Sequence, residues 1–232
     1  LVIAPDGGKI TVYRINNKAT KNITQTLGLE SGVGNWNSIA CGDLNGNGEN
    51  DLFAANWGTN QALNRYIQYN YRMYFSKENG IMDIFETFQS NDKNILKPSL
   101  AKFKKSNPIR GLMYSTHESF RLEGVENIFN NAPNFREINE LRTRLFLNNN
   151  ASFKAHPLPS EVQFAPTFGV VFDDFNLDGL LDIALNQGFN DYYDGTEPQL
   201  NNSNLILINR LDDKKSFDIA YKTGLGKNRS FP

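Results

Sequence analysis

A nine-residue pattern, D-x-N-x-[ND]-G-x-x-D, occurs twice in this chain of 232 residues, each time between two short apolar runs. The first copy runs from Asp43 to Asp51, between Ser38-Ile39-Ala40-Cys41 and Leu52-Phe53-Ala54. The second runs from Asp174 to Asp182, between Gly169-Val170-Val171-Phe172 and Ile183-Ala184. Apolar runs this short read as β-strands, so a repeated strand-loop-strand unit is the first constraint on the fold. A second hallmark recurs as Val12-Tyr13-Arg14-Ile15-Asn16, Leu145-Phe146-Leu147-Asn148 and Leu205-Ile206-Leu207-Ile208-Asn209. Asn16 precedes Asp43 by 27 residues and Asn148 precedes Asp174 by 26. The same offset from Asn209 falls just beyond Pro232, and Leu1-Val2-Ile3-Ala4 reads as the strand that follows such a loop. A truncated array of repeats is therefore expected.

The loop chemistry points to a hard cation. Oxygen-bearing side chains at positions 1, 3 and 5 of a tight loop can converge on one point, and Gly at position 6 permits the left-handed turn that keeps the chain wrapped. Asp43, Asn45 and Asn47 hold those positions in the first loop, and Asp174, Asn176 and Asp178 in the second. Glu49 or Leu180 at position 7 can offer a backbone carbonyl, and Asp51 or Asp182 at position 9 returns a carboxylate. An all-oxygen set without His or Cys favours Ca²⁺ over zinc or copper, and Mg²⁺ takes fewer protein ligands in a stricter octahedron. An EF-hand would need Glu at position 12 and flanking helices. Position 12 is Ala54 or Leu185, and the flanks are strands. The plainer alternative is an Asn/Asp/Gly-rich hairpin turn without an ion. The second loop carries one more carboxylate and is expected to bind more tightly.

A third stretch, Phe75 to Asp83, keeps Asn79-Gly80 and the last Asp but has Phe75 and Lys77 at positions 1 and 3. It is expected to be a degenerate, metal-free loop in which Lys77 pairs with Asp83.

The two loops with the intervening "LFLNN"-type strands resemble the FG-GAP or VCBS repeats of integrin-α-type β-propellers. The segments "GLESGVGNWNSIACGDLNGNGENDLFAANWGTN" and "PLPSEVQFAPTFGVVFDDFNLDGLLDIALNQG" are similar to the cartilage acidic protein and UnbV-type branch of that group. The resemblance implies a mainly β chain: a partial, truncated β-propeller of antiparallel blades, with one calcium loop per intact repeat. It also implies an adhesive or scaffolding role in an extracellular, cell-surface or periplasmic setting, with a protein or glycan ligand on the propeller rim.

From Asp92 to Arg144 the apolar spacing turns helical, as in Leu100 and Phe103, then Leu122, Val125, Ile128 and Phe129, then Phe135, Ile138 and Leu141. Two to four short helices are expected, with Pro98, Pro108 and Pro133 near their starts. The resulting division is 1–91 propeller repeats, 92–144 helical insertion and 145–232 propeller repeats. The insertion holds ten Lys/Arg against six Asp/Glu, which a solvated helix face accounts for, with an anionic partner as the alternative.

Composition narrows the function classes. At 39% hydrophobic and 21% charged the chain can bury a sizeable core. A net charge of -1 creates no global field for nucleic acid or an anionic membrane, so such binding would depend on a local patch. No nucleic-acid motif accompanies the insertion's charge, and no apolar run approaches the roughly 18 residues that span a bilayer. Nucleic acid and membrane insertion are therefore not expected. Cys41, the single cysteine, reads as a small buried strand thiol. His117 and His156 stand in no nucleophile or zincin motif. Trp36 and Trp57 read as core, with a sugar-stacking platform as the alternative. Asn-x-Ser/Thr triplets begin at Asn22, Asn150, Asn201 and Asn228, and would carry glycans only in a eukaryotic secretory setting. A non-catalytic calcium-binding interaction module is the leading expectation. The alternative is an accessory or catalytic part of a secreted enzyme acting on polysaccharide or phospholipid.

Overall fold

The computed structural model describes residues 1–17, 19–78, 81–128, 134–188, 204–210 and 216–220. In chain order the strands begin with β1 (Val2–Ile3), β2 (Asp6–Lys9), β3 (Thr11–Asn16), β4 (Ala19–Asn22), β5 (Val33–Asn35), β6 (Ser38–Gly42) and β7 (Asp51–Ala55). Next come helix α1 (Asn64–Ile67), strands β8 (Arg72–Glu78), β9 (Ile81–Ser90) and β10 (Lys93–Leu96), and helices α2 (Leu100–Ser106), α3 (Pro108–Gly111), α4 (His117–Leu122) and α5 (Val125–Ile128). Strands β11 (Asn134–Glu137), β12 (Arg144–Asn148), β13 (Phe153–His156), β14 (Thr167–Asp173), β15 (Asp182–Gln187), β16 (Leu205–Asn209) and β17 (Phe217–Ile219) complete the order. The chain is mainly β, and all its named strand pairs are antiparallel.

Two compact units result, one from residues 1–61 with 140–232 and one from 62–139. The first unit is a row of sheets. Two are four-stranded, in the orders β6-β7-β12-β13 and β14-β15-β16-β17, and β1-β3-β4 forms a three-stranded sheet. Each four-stranded sheet begins with a strand, a nine-residue loop and a returning strand, at matching register: Gly42 faces Asp51, and Asp173 faces Asp182.

Side-chain alternation along the middle sheet explains how the row packs. Successive residues of a strand point to opposite faces. Phe53, Ala55 and Leu145 join Ile183, Leu185, Leu205 and Leu207 in one core cluster. Their chain neighbours Leu52, Ala54 and Phe146 join Ile10, Val12 and Trp36 in another. The middle sheet is therefore covered on both faces, which is why every residue of β7 is buried. Trp36 is core, as expected, with its indole Nε1 donating to the Gly8 carbonyl at 2.9 Å. Trp57 is half-buried, with its ring edge-on to Phe168 at 6.4 Å.

The second unit interrupts the connection from β7 to β12. The departing and returning chain are pinned together: Gly58 N–H donates to the Leu141 carbonyl at 2.7 Å, and Asn56 N–H to the Thr143 hydroxyl at 3.0 Å. Closely spaced ends allow an inserted unit without disturbing its host. The insertion is larger than the helical spacing suggests, because it starts at Ala62 and includes a sheet of order β10-β9-β8-β11.

Among the described residues, four of its five helices fall within 92–128, but the spacing of Phe135, Ile138 and Leu141 is not helical: Asn134–Glu137 is a strand paired with β8. Phe129 and Pro133 lie outside the described residues. Among the described residues no helix is long and apolar enough to cross a membrane.

Two expectations about single segments change. The stretch from Phe75 to Asp83 is not a loop of the repeated kind, because β8 and β9 pair through it, with Ser76 opposite Asp83 and Glu78 opposite Ile81. An Asn-Gly dipeptide between alternating runs is a hairpin signature as well as a loop signature, and here the ladder on either side decides. The expected Lys77–Asp83 pair concerns side chains outside the described ones. Cys41 is exposed, not buried, because β6 is the outermost strand of its sheet.

Candidate metal centre

The two nine-residue loops fold alike, position by position. Asp43 at position 1 accepts from the N–H of Asn47 at 3.1 Å and of Gly48 at 2.8 Å. Asp174 accepts from Asp178 at 3.1 Å and Gly179 at 2.9 Å. The position-3 amide oxygens, of Asn45 and Asn176, accept from the position-5 N–H at 3.1 and 3.0 Å. Position 5, Asn47 or Asp178, accepts from the N–H of Glu49 at 2.8 Å or Leu180 at 3.0 Å. These short Asx-type bonds compete with strand pairing and turn the chain back on itself. Positive φ angles occur at positions 4 and 6: 70° and 85° at Gly46 and Gly48, 61° and 91° at Leu177 and Gly179. Left-handed backbone suits glycine at little cost, so only Leu177 is strained.

Position 9 sits at the base of each loop. Asp51 is fully buried and accepts from Leu44 N–H at 2.8 Å and Asn148 N–H at 2.7 Å. Asp182, equally buried, accepts from Phe175 N–H at 3.1 Å and Asn209 N–H at 2.8 Å. Burial pushes the Asp51 carboxyl above the usual range despite those backbone bonds, and the Asp43 charge adds to the rise. Burial does the same to Asp182, reinforced by Asp178 and Asp174. In both loops the position-9 carboxylate is thus a buried acceptor with a second loop carboxylate near enough to add to the rise in its pKa.

The repeated Asn belongs to this cradle, although on the other side from the one its spacing suggests. Asn148 and Asn209 each complete the loop that precedes them in the chain, not the loop that follows. Their amide groups also reach the position-8 carbonyls, Asn148 to Asn50 at 3.3 Å and Asn209 to Leu181 at 2.9 Å. Asn209 in addition donates to the Leu44 carbonyl of the first loop, which ties one repeat to the next. The signal was present in the shared Asn at the end of β12 and β16. Strand pairing with β7 and β15 decides which loop it serves.

Arg210 is a residue that the loop pattern does not reveal. Its guanidinium stands 3.5 Å from Asp178 and 3.3 Å from Asp218. Asp178 is held below the usual carboxylate range by the Leu180 N–H first, then by the Asn176 amide and Arg210. The extra carboxylate of the second loop is therefore offset by a cation, and counting charges no longer ranks that loop above the first.

Among the described residues no group of three or more His, Cys, Asp or Glu side chains stands close enough to hold a metal ion. The loop donors are mixed: two carboxylates with two Asn amides in the first, three with one Asn in the second. Such sets are of the hard-oxygen kind that suits Ca²⁺, completed by amide or main-chain oxygens. Elsewhere, His156 on β13 is half-buried, its Nε2 without a hydrogen-bond partner among the described residues, and burial pushes its pKa down. Asn22 and Asn150 are exposed, whereas Asn201 and Asn228 lie outside the described residues. Comparison with protein-family models, with curated proteins and with solved structures finds no match.

Proposed function

We propose that this chain is a calcium-stabilised, non-catalytic interaction module of the FG-GAP/VCBS type, and that its row of sheets is part of a β-propeller. The observation that carries the calcium reading is the repeated loop cradle, in which oxygen-bearing side chains at positions 1, 3 and 5 and a buried Asp at position 9 take the same backbone bonds in both copies. A divalent cation would be held by Asp43, Asn45, Asn47 and Asp51 in one loop and by Asp174, Asn176, Asp178 and Asp182 in the other. Carbonyls of Glu49 and Leu180 would supplement them. The ion would supply rigidity and no chemistry on a substrate. The propeller reading is supported by a middle sheet covered on both faces and by one loop of this type between the first two strands of each of the two four-stranded sheets of the first unit. The ligand would be a protein or glycan met on the rim, in a setting outside the cytoplasm.

A secreted-enzyme reading would want two free carboxylates beside an aromatic ring. The cleft of about 220 Å³ in the second unit is lined by Phe85, Phe103 and a single carboxylate, Glu86. Glu86 is already held by the Tyr71 hydroxyl and by Lys97, so this cleft does not offer such a pair.

Calcium titration by calorimetry and thermal unfolding with and without chelator test the proposal. An ion at 100 times its Kd stabilises a native state by about 2.7 kcal/mol, a rise in Tm of roughly 5–11 °C for a unit of this size. Identical melting in calcium and chelator, with no heat of binding, would refute it.

A further inference from the structure

In the second unit, α2, α4 and α5 bury Leu100, Phe103, Phe120, Val125 and Ile128 against Tyr74, Phe85 and Leu96 of its sheet. The turn between them does the opposite. Ile109, Leu112 and Met113 are 83%, 84% and 73% exposed. The helical turn that starts at α3 continues past Gly111, since Leu112 N–H donates to Ile109 and Met113 N–H to Arg110. Residues spaced i, i+3 and i+4 share a helix face, so three large aliphatic side chains stand together in water.

The stretch that holds them is basic. Residues 93–117 contain six Lys or Arg and no Asp or Glu. Lys97 is paired with Glu86 at 2.8 Å and Lys93 donates to the Leu122 carbonyl. Lys104 and Lys105, in the last turn of α2, are exposed. Gly111 brings α2 and α3 together: a Cβ there would come within 2.6 Å of Lys104 Cγ and 2.9 Å of its Cα. The close approach fixes the basic last turn of α2 beside the aliphatic turn.

We infer that this turn is a docking element for an anionic bilayer surface. Ile109, Leu112 and Met113 dip to the boundary between headgroups and acyl chains, while the Lys104 and Lys105 ammonium groups stay among the lipid phosphates. An acidic glycan would meet the cations but leave the aliphatic face in water. An apolar protein groove would meet the aliphatic face without using the cations. A bilayer with acidic headgroups uses both. This is contact with one leaflet, distinct from spanning, and it supplies the local patch that a net charge of -1 otherwise denies the chain.

The test is sedimentation of the full chain with vesicles of phosphatidylserine and phosphatidylcholine, against pure phosphatidylcholine, all in chelator so that the outcome is independent of calcium binding. Binding is expected only to the anionic vesicles and should weaken with salt. Lys104→Glu with Lys105→Glu should weaken it by at least about twenty-five-fold, at roughly fivefold per basic residue. Ile109→Ser, Leu112→Ser and Met113→Ser together should weaken it at least about tenfold. These side chains are exposed, so circular dichroism should be unchanged. No binding to anionic vesicles, or a triple-serine variant that binds as well as the parent, overturns the inference. Binding to heparin with none to vesicles also overturns it, in favour of a polyanion site.

Discussion

Truncation of Asp51 separates what the loop base does for the fold from what it does for an ion. Asp51→Ala leaves two backbone donors, Leu44 N–H and Asn148 N–H, without their acceptor at a fully buried position. Each such loss costs about 1–3 kcal/mol. Part of the cost is offset, because the native carboxylate is itself desolvated. A net destabilisation of about 3 kcal/mol follows, or roughly 6–12 °C in Tm. Asp43→Ala also removes an acceptor from two N–H groups, but these are exposed and water replaces it. That variant should lose about 1 kcal/mol, like an exposed helix cap, and roughly 2–4 °C. The comparison belongs in chelator, followed by tryptophan fluorescence, because both tryptophans, Trp36 and Trp57, lie in the first unit. Calcium should then raise the Tm of the parent and of neither variant by as much. If the two variants melt within about 2 °C of each other in chelator, the buried-acceptor argument is wrong.

Leu177→Gly should stabilise the chain by about 1 kcal/mol, because the side chain is 88% exposed and its φ of 61° is strained for any residue with a Cβ; a lower Tm in urea or heat would count against it. Arg210→Ala removes a positive charge 3.5 Å from Asp178 and should tighten calcium at the second loop about fivefold at low salt, given a screened Coulomb energy near 1 kcal/mol. Calorimetry showing weaker binding would reverse that assignment. His156 should titrate below the ordinary histidine value by NMR, since burial disfavours its cation. By linkage, the stability that its neutral form contributes is present above the unfolded pKa of about 6.5 and is lost as pH falls below it; a pKa at or above that value would refute the assignment.

Much of the first unit was legible because a nine-residue polar pattern between strands is local. Its turn is made by bonds spanning two to five residues, so the turn that Asp43, Asn45 and Asn47 form is legible without knowing what lies around them. The same locality misled at Phe75 to Asp83. Asn79-Gly80 serves a hairpin as well as a loop, and only the partner strand chooses between them. The helical spacing of Leu100 and Phe103 was read correctly. That of Phe135 and Ile138 was not, because pairing of β11 with β8 overrides periodicity in a short segment.

What the sequence by itself determined is the pair of loops, their donor types and the strands beside them, since all of these rest on neighbours along the chain. Tertiary structure decided the rest. Asn148 and Asn209 close the loops from 97 and 27 residues beyond the carboxylates they bond. Arg210 offsets a charge 32 residues before it. Asp51 is a buried acceptor and Cys41 an exposed thiol because of which strands flank β7 and β6. Burial and electrostatic balance depend on which distant segments come to lie together, and no local pattern encodes that.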